Sequence, residues 1–408
     1  MTKNIAIIGA GPAGLTAART LRSRGCGARI RMFSAEKAPP YAPASLGRYL
    51  IEDREDILYW QGRDICERLE IDEHRGEKVI TVEAERKVLT TSAGREYAFD
   101  KLLIASGSSL KISEVIEGHD KEGLLNFKNL SATRKIKELA ASGRGTAVII
   151  GGGFIGVEIA LCLAEMGIKP SVLNRRSWIM PRLLDRETAG RVVADLEEKG
   201  VDVRLNTEGK YLHGKERVEA VETTSGEILE ADIYIAATGV APNTDFLKNS
   251  GVEYEDWGIP VDGKLRTNHP HIFACGDAAL TRDFLSGELT SHGLHPVAVR
   301  HGRTAAANIM GAEEEYERMF SMNSLKELSY KLIVVGELEG ETIRDESEEY
   351  LRKIYLKEGR INGFVLLGNI ANAGIYTSLL KNRREVSGYR NWLISPQFNP
   401  QDRTYRSI

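Results

Sequence analysis

The sequence predicts an α/β protein in which two similar βαβ units are nested, followed by a C-terminal α+β domain. Three observations predict it. NIAIIGAGPAGLTAARTL at 4–21 returns in altered form as TAVIIGGGFIGVEIALCL at 146–163, each an apolar strand, a glycine-rich turn and an apolar-periodic helix. YAFDKLLIASGS at 97–108 and LEADIYIAATGVAPN at 229–243 form a second pair, buried-type strands that end in small-residue turns. From about residue 314 the glycine-rich turns become sparse and the pattern changes to strands with a late helix.

In chain order, the first repeat supplies a strand, a turn and a helix, and ARIRMF at 28–33 supplies the next strand. The strand ending near residue 108 closes this unit, and the second repeat opens another, continued by KPSVLN at 169–174. HPHIFACGDAAL at 269–280 adds a strand and turn, and HPVAVRHGRTAAANIMG at 295–311 reads as a helix. Beyond it, KLIVVGELEG and EYLRKIYLKEGRINGFVLLGN read as strands, with a hairpin at Glu358-Gly359-Arg360. ANAGIYTSLLKNRREV is expected to be the closing helix, and 387–408 is either an ordered wrapping tail or disordered.

Composition narrows the function. Lys+Arg 55 against Asp+Glu 58 gives a net charge of −3, which disfavours a nucleic-acid binder. No apolar run reaches the length of a membrane span, and Met1 leads directly into a strand, so a cytoplasmic protein is expected. The four cysteines, Cys26, Cys66, Cys162 and Cys275, form no CxxC and suggest neither a disulfide framework nor a zinc site. His292, His295 and His301 fit no common zinc spacing, so no metal is expected.

Gly9, Gly11 and Gly14, with Pro12 and Ala13 between them, follow a strand and open a helix. In that context the first glycine permits the turn, the second lets a pyrophosphate approach the backbone, and the third permits close helix–strand packing. Phosphates bind the free amides of such a helix start. Glu36 stands where a carboxylate would meet a ribose. Gly151, Gly153 and Gly156, with Phe154 and Ile155, repeat the logic, but there the strand ends in Asn174-Arg175-Arg176. Arginine can accommodate a 2′-phosphate or flank an unphosphorylated nucleotide, so NADH and NADPH both remain open. The fold expected is two Rossmann-like dinucleotide-binding domains, one inserted in the other, plus the C-terminal α+β domain.

GAGPAG, LLIASGS, GGGFIGVE, AATGVAPN and IFACGD together make the chain resemble the FAD-dependent pyridine nucleotide-disulfide oxidoreductase superfamily. FSAEKAPPYAPASLGRYL at 33–50 is similar to the rubredoxin, ferredoxin and nitrite reductase flavoproteins, with Pro40-Tyr41 matching. The resemblance implies FAD in a discontinuous domain of 1–110 and 241–313, NAD(P)H in 111–240, and a C-terminal domain of 314–408 with a basic aromatic tail. It implies FAD contacts from Arg48, Val79, Ala105, Ser106, Gly107, Gly276, Asp277, Pro296 and Val297 as well as the first glycine turn and Glu36. Arg48 replaces the usual lysine and is read either as a charge beside the flavin or as a solvated helix arginine. Glu158, the other residue given a catalytic role, would sit near flavin and nicotinamide; Thr238 and Gly239 complete the set.

Residues 36–60 contain no cysteine, so a redox disulfide of the kind many relatives use is excluded. The reaction implied is electron transfer from NAD(P)H through FAD to a one-electron iron–sulfur carrier. An oxygen-reducing NAD(P)H oxidase, a redox-regulated interaction flavoprotein, and a subunit of a larger complex are the alternatives, and a homodimer is left open. For an acidic carrier the basic candidates are Lys381, Arg383, Arg384, Arg390, Arg403 and Arg406, with Trp392 and Phe398 as anchors and Asp402 as the one acid of the tail.

Overall fold

The computed structural model describes residues 2–110, 116–141, 143, 145–395 and 398; Arg403, Arg406 and Asp402 lie outside them. Two compact units form. One comprises Met1–Lys111, Asn126–Lys137 and Gly239–Met319, the other Ile112–Leu125, Glu138–Thr238 and Phe320–Ile408. The segment 126–137, which the sequence reading places in the inserted domain, therefore packs with the first unit.

The first unit is organised by a five-stranded parallel sheet in the order Ile272–Ala274, Lys101–Ile104, Asn4–Ile8, Arg29–Ser34, Ile71–Arg75. Its central strand is apolar on both faces because both faces are covered, with Ile5 and Ile7 fully buried on one side and Ala6 and Ile8 on the other. Helix Pro12–Ser23 follows with proline in its first turn, where the missing amide costs nothing. Ala13, Leu15, Ala17, Ala18 and Leu21 are its buried apolar residues. Helix His295–Ile309 lies against it at Gly302, where an added Cβ would come within 2.3 Å of the Ala13 carbonyl oxygen. A three-stranded antiparallel sheet, Val79–Glu83, Val88–Thr91 and Glu96–Ala98, sits beside the main sheet.

The second unit repeats the parallel design in the order Asp202–Leu205, Lys169–Asn174, Thr146–Ile150, Ile233–Ala236, Leu124–Leu125. Helix Phe154–Glu165 is apolar almost all round and largely buried. The same unit carries a five-stranded antiparallel sheet in the order Met322–Leu325, Leu332–Gly336, Arg360–Leu367, Leu351–Lys357, Glu341–Glu346. Its hairpin turns at Glu358 (φ 52°) and Gly359 (φ 69°), both left-handed as a tight two-residue turn requires.

The last helix is shorter than expected and does not close the chain. Ala373–Lys381 ends at Asn382, and two short helical turns, Ser387–Tyr389 and Arg390–Leu393, follow. This segment is packed: Leu393 and Phe398 are buried. Arg352, fully buried, holds it by donating to the Ile394 carbonyl at 3.1 Å and to that of Ala371. Its guanidinium lies 5.9 Å over the Tyr376 ring, and the Tyr376 hydroxyl donates to the Leu393 carbonyl.

Candidate functional site

Three glycines in the first unit do three different jobs. Gly9 has φ 109°, and a Cβ there would stand 2.1 Å from the Ala105 oxygen; at Gly14 it would stand 2.0 Å from the Gly9 oxygen. These two positions are closed by backbone. Gly11 is the reverse, with an extended backbone (φ −72°, ψ −174°) and nothing within 4 Å of a built Cβ. The first intrahelical bond runs from Leu15 N–H to the Gly11 oxygen, and no side chain caps the helix. The Ala13 and Gly14 amides therefore face an open cradle, which fits a pyrophosphate.

Around this cradle, Glu36 follows the second strand and accepts a forked hydrogen bond from the Tyr41 hydroxyl at 2.9 and 3.0 Å. Tyr41 in turn accepts the Leu130 amide at 3.0 Å, which anchors 126–137 to this unit. Burial lifts the Glu36 carboxyl above its ordinary range, opposed by the Tyr41 hydrogen bond. Ser106 and Asn243 exchange side-chain-to-carbonyl hydrogen bonds of 2.8 and 2.9 Å, fixing the Ala105–Gly107 turn, where Gly107 has φ 68°. Asp277 lies in the turn Gly276–Ala278, and its Oδ2 accepts from Ser108 Oγ at 2.6 Å and Lys128 Nζ at 3.2 Å. Val79 is buried in the small sheet, while Pro296 and Val297 form the first turn of helix His295–Ile309.

Arg48, read either as a charge beside the flavin or as a solvated helix arginine, faces solvent. It sits on helix Leu46–Glu52 with its side chain 59% exposed and makes a two-pronged pair with Glu52, one turn on, at 2.8 and 2.9 Å. The cation brought to Asp277 is Lys128, which sequence reasoning missed because nothing local to NFKNL marks it. His301 is buried with no hydrogen-bond partner on either ring nitrogen, and burial pushes its pKa down to about 4, so it is neutral. Among the described residues no three or more His, Cys, Asp or Glu side chains gather where they could hold a metal ion.

The second unit reproduces the cradle. Gly151 (φ 119°) and Gly156 are closed by the oxygens of Ala237 and Gly151, which a Cβ would approach to 2.4 and 1.9 Å. Gly153 is extended (φ −79°, ψ −177°) and open, and Phe154 and Ile155 begin the helix. Asn174 turns inward: its Nδ2 donates to the carbonyls of Arg176 at 2.7 Å and Trp178 at 3.0 Å. Arg175 and Arg176 are exposed, and Arg175 Nη1 lies 3.7 Å from Glu208. Half-buried Glu158 has its pKa raised to about 7, by burial first and by the Glu327 charge second. Thr238 and Gly239 follow the strand Ile233–Ala236 and are exposed, Gly239 with φ 125°.

Three of the four cysteines are shielded from thiol chemistry. Cys66, Cys162 and Cys275 are buried, and burial pushes all three thiols up, Cys66 to about 12 with Glu73 adding to it. Cys26 is partly exposed.

A family model described as pyridine nucleotide-disulphide oxidoreductase matches residues 3–302. The chain is 33% identical over 319 residues to an NADH oxidase of Methanocaldococcus jannaschii, covering 76% of this chain and 70% of that protein. It is 31% identical over 399 residues to a nitrite reductase [NAD(P)H] of Bacillus subtilis, covering 94% of this chain but 48% of that protein, so it spans about half of that relative. A rubredoxin-NAD(+) reductase of Pseudomonas putida is 28% identical, covering 75% of this chain and 80% of that protein. Among solved structures, a ferredoxin reductase from Rhodopseudomonas palustris shares the fold, with a TM-score of 0.87 at 22% identity over 97% of this chain and 98% of that one. Among the described residues no helix is long and apolar enough to cross a membrane.

Proposed function

Because the chain belongs to the pyridine nucleotide-disulphide oxidoreductase family, as an FAD-dependent NAD(P)H oxidoreductase, we propose that it delivers electrons to a small iron–sulfur carrier of the rubredoxin or ferredoxin type. FAD suits this because, when bound, it takes two electrons from a nicotinamide and can release them singly. In this reading FAD occupies the first unit. The Ala13 and Gly14 amides hold its pyrophosphate, Glu36 accepts from a ribose hydroxyl, and Asp277 with Lys128 anchors the ribityl end. NAD(P)H occupies the second unit over the open Gly153 cradle. Glu158, with its carboxyl poised near neutrality, positions the nicotinamide.

The observation that carries the proposal is the missing thiol. No cysteine lies between Cys26 and Cys66, and Cys66 is buried with its thiol held protonated. Electrons therefore have no protein dithiol to enter. The M. jannaschii relative's name supports a second reading, reduction of oxygen. One stopped-flow experiment decides between them. The NADH-reduced protein is mixed either with air-saturated buffer or with an anaerobic rubredoxin or ferredoxin. Faster reoxidation by a carrier supports the proposal; oxygen outpacing every carrier would sink it.

A further inference from the structure

We propose that Glu208 sets coenzyme choice in the second unit: it holds Arg175 and opposes a 2′-phosphate, so NADH is favoured over NADPH. The proposal rests on reading this unit as the NAD(P)H site. At the end of strand Lys169–Asn174, where a dinucleotide's ribose carboxylate would stand, the chain has Asn174. That side chain is not available to a ribose. Its Nδ2 is spent on the carbonyls of Arg176 and Trp178, and its Oδ1 faces Gly152 so closely that a Cβ there would come within 2.6 Å. A nucleotide at this strand end meets Arg175, Arg176 and whatever stands opposite them.

What stands opposite is fixed by main chain. The turn after strand Asp202–Leu205 is stapled to the arginine turn by two backbone hydrogen bonds, Asn206 N–H to the Arg176 oxygen at 3.1 Å and Thr207 N–H to the Asn174 oxygen at 3.0 Å. One residue on, the Glu208 carbonyl accepts the Thr224 amide at 2.9 Å. Gly209 follows, packed within 3.5 Å of Val221 and Ile150 by the measure of a built Cβ. Glu208 is thus held from both sides, with its carboxylate 3.7 Å from Arg175 Nη1. The two side chains are 67% and 38% exposed, so the pair contributes little to folding, yet it stands where a ligand's charge would compete.

A ribose 2′-hydroxyl can donate to such a carboxylate. A 2′-phosphate cannot; it must draw Arg175 away from Glu208 and then sit beside the freed negative charge. The Arg175-Arg176 pair, which alone would favour NADPH, is in this way partly cancelled by a residue thirty-odd positions later in the chain.

The test uses the FAD-loaded full chain and two probes, AMP and adenosine 2′,5′-bisphosphate, titrated by calorimetry. Glu208→Gln should tighten the bisphosphate roughly tenfold, about 1.4 kcal/mol, and change AMP by less than about twofold. The gain should vanish in the double variant with Arg175→Gln and shrink in high salt. An unchanged bisphosphate-to-AMP ratio in Glu208→Gln, or equal tightening of both probes, would overturn the proposal. Failure of the wild-type protein to bind either probe while NADH still reduces its flavin would overturn instead the reading of this unit as the nucleotide site, and the proposal with it.

Discussion

The two open glycines allow cofactor binding to be separated from folding. Gly11 has an extended backbone that any residue adopts, and a built Cβ there meets nothing. Gly11→Ala should therefore leave the apoprotein at least as stable, gaining ~0.4–1 kcal/mol by restricting the unfolded chain. The new methyl would stand in the cradle over the Ala13 and Gly14 amides. Loss of one or two amide-to-phosphate hydrogen bonds, ~1.5–3 kcal/mol each, should weaken FAD by roughly ten- to ten-thousand-fold. Gly14→Ala is the contrasting case: its Cβ would lie 2.0 Å from the Gly9 oxygen, so the protein should lose the fold itself. Flavin fluorescence quenching on the apoprotein reads affinity, and a thermal melt of the same sample reads stability. The mirror variant Gly153→Ala should keep FAD and weaken NAD(P)H. A Gly11→Ala protein that purifies with full flavin and an unchanged Kd would refute the assignment of this turn to a pyrophosphate.

Glu158 supplies a pH signature. Its folded pKa, about 7, lies above the ordinary 4.5, so between those values the folded state holds more protons than the unfolded state. Stability attributable to this group is therefore lost as pH rises from 5 to 8, by at most about 3 kcal/mol, and Glu158→Gln should flatten that slope in urea titrations. The same variant should slow flavin reduction by NAD(P)H without loss of FAD. Replacing all four cysteines by serine should leave carrier reduction intact; the cost, ~1–3 kcal/mol at each of the fully buried Cys162 and Cys275, should show only in the melting temperature. Glutamate at exposed Arg383 and Arg384 should slow carrier reduction at low salt but not flavin reduction by NAD(P)H. Substitution rather than truncation is needed because Leu393 and Phe398 belong to the core.

What the sequence makes legible is what backbone geometry forces. Gly9 and Gly151 are glycine because a main-chain oxygen crosses above each, and a motif records that constraint within six residues. The positions of Glu36 and Asp277, each just past a strand end, are legible for the same reason. Contacts made by long side chains across the fold leave no such record. Lys128 reaches Asp277 from 149 positions away, and the charge of Arg175 is met from another turn. Where a local partner exists, it wins over the distant one: Arg48 has Glu52 on the next turn, and Asn174 has the carbonyls of its own loop. The packing of 387–395 was equally hidden, since that segment shows no periodicity and is held by carbonyls rather than by side-chain patterning.

Arg352 gives the segment 390–395 an unusual kind of permanence. A guanidinium keeps its proton, so the charge remains in the interior whatever the last segment does. Its described hydrogen bonds go to main-chain oxygens of Ala371 and Ile394, and its Nε has no partner. Detaching 390–395 would leave this cation short of an acceptor, a loss of about 1.5–3 kcal/mol. The segment should then behave as part of the sheet's cooperative unit and not as a fraying terminus. In hydrogen exchange, peptides over 390–395 should be protected on the timescale of strand Leu351–Lys357, and in Arg352→Leu they should exchange early while that strand does not.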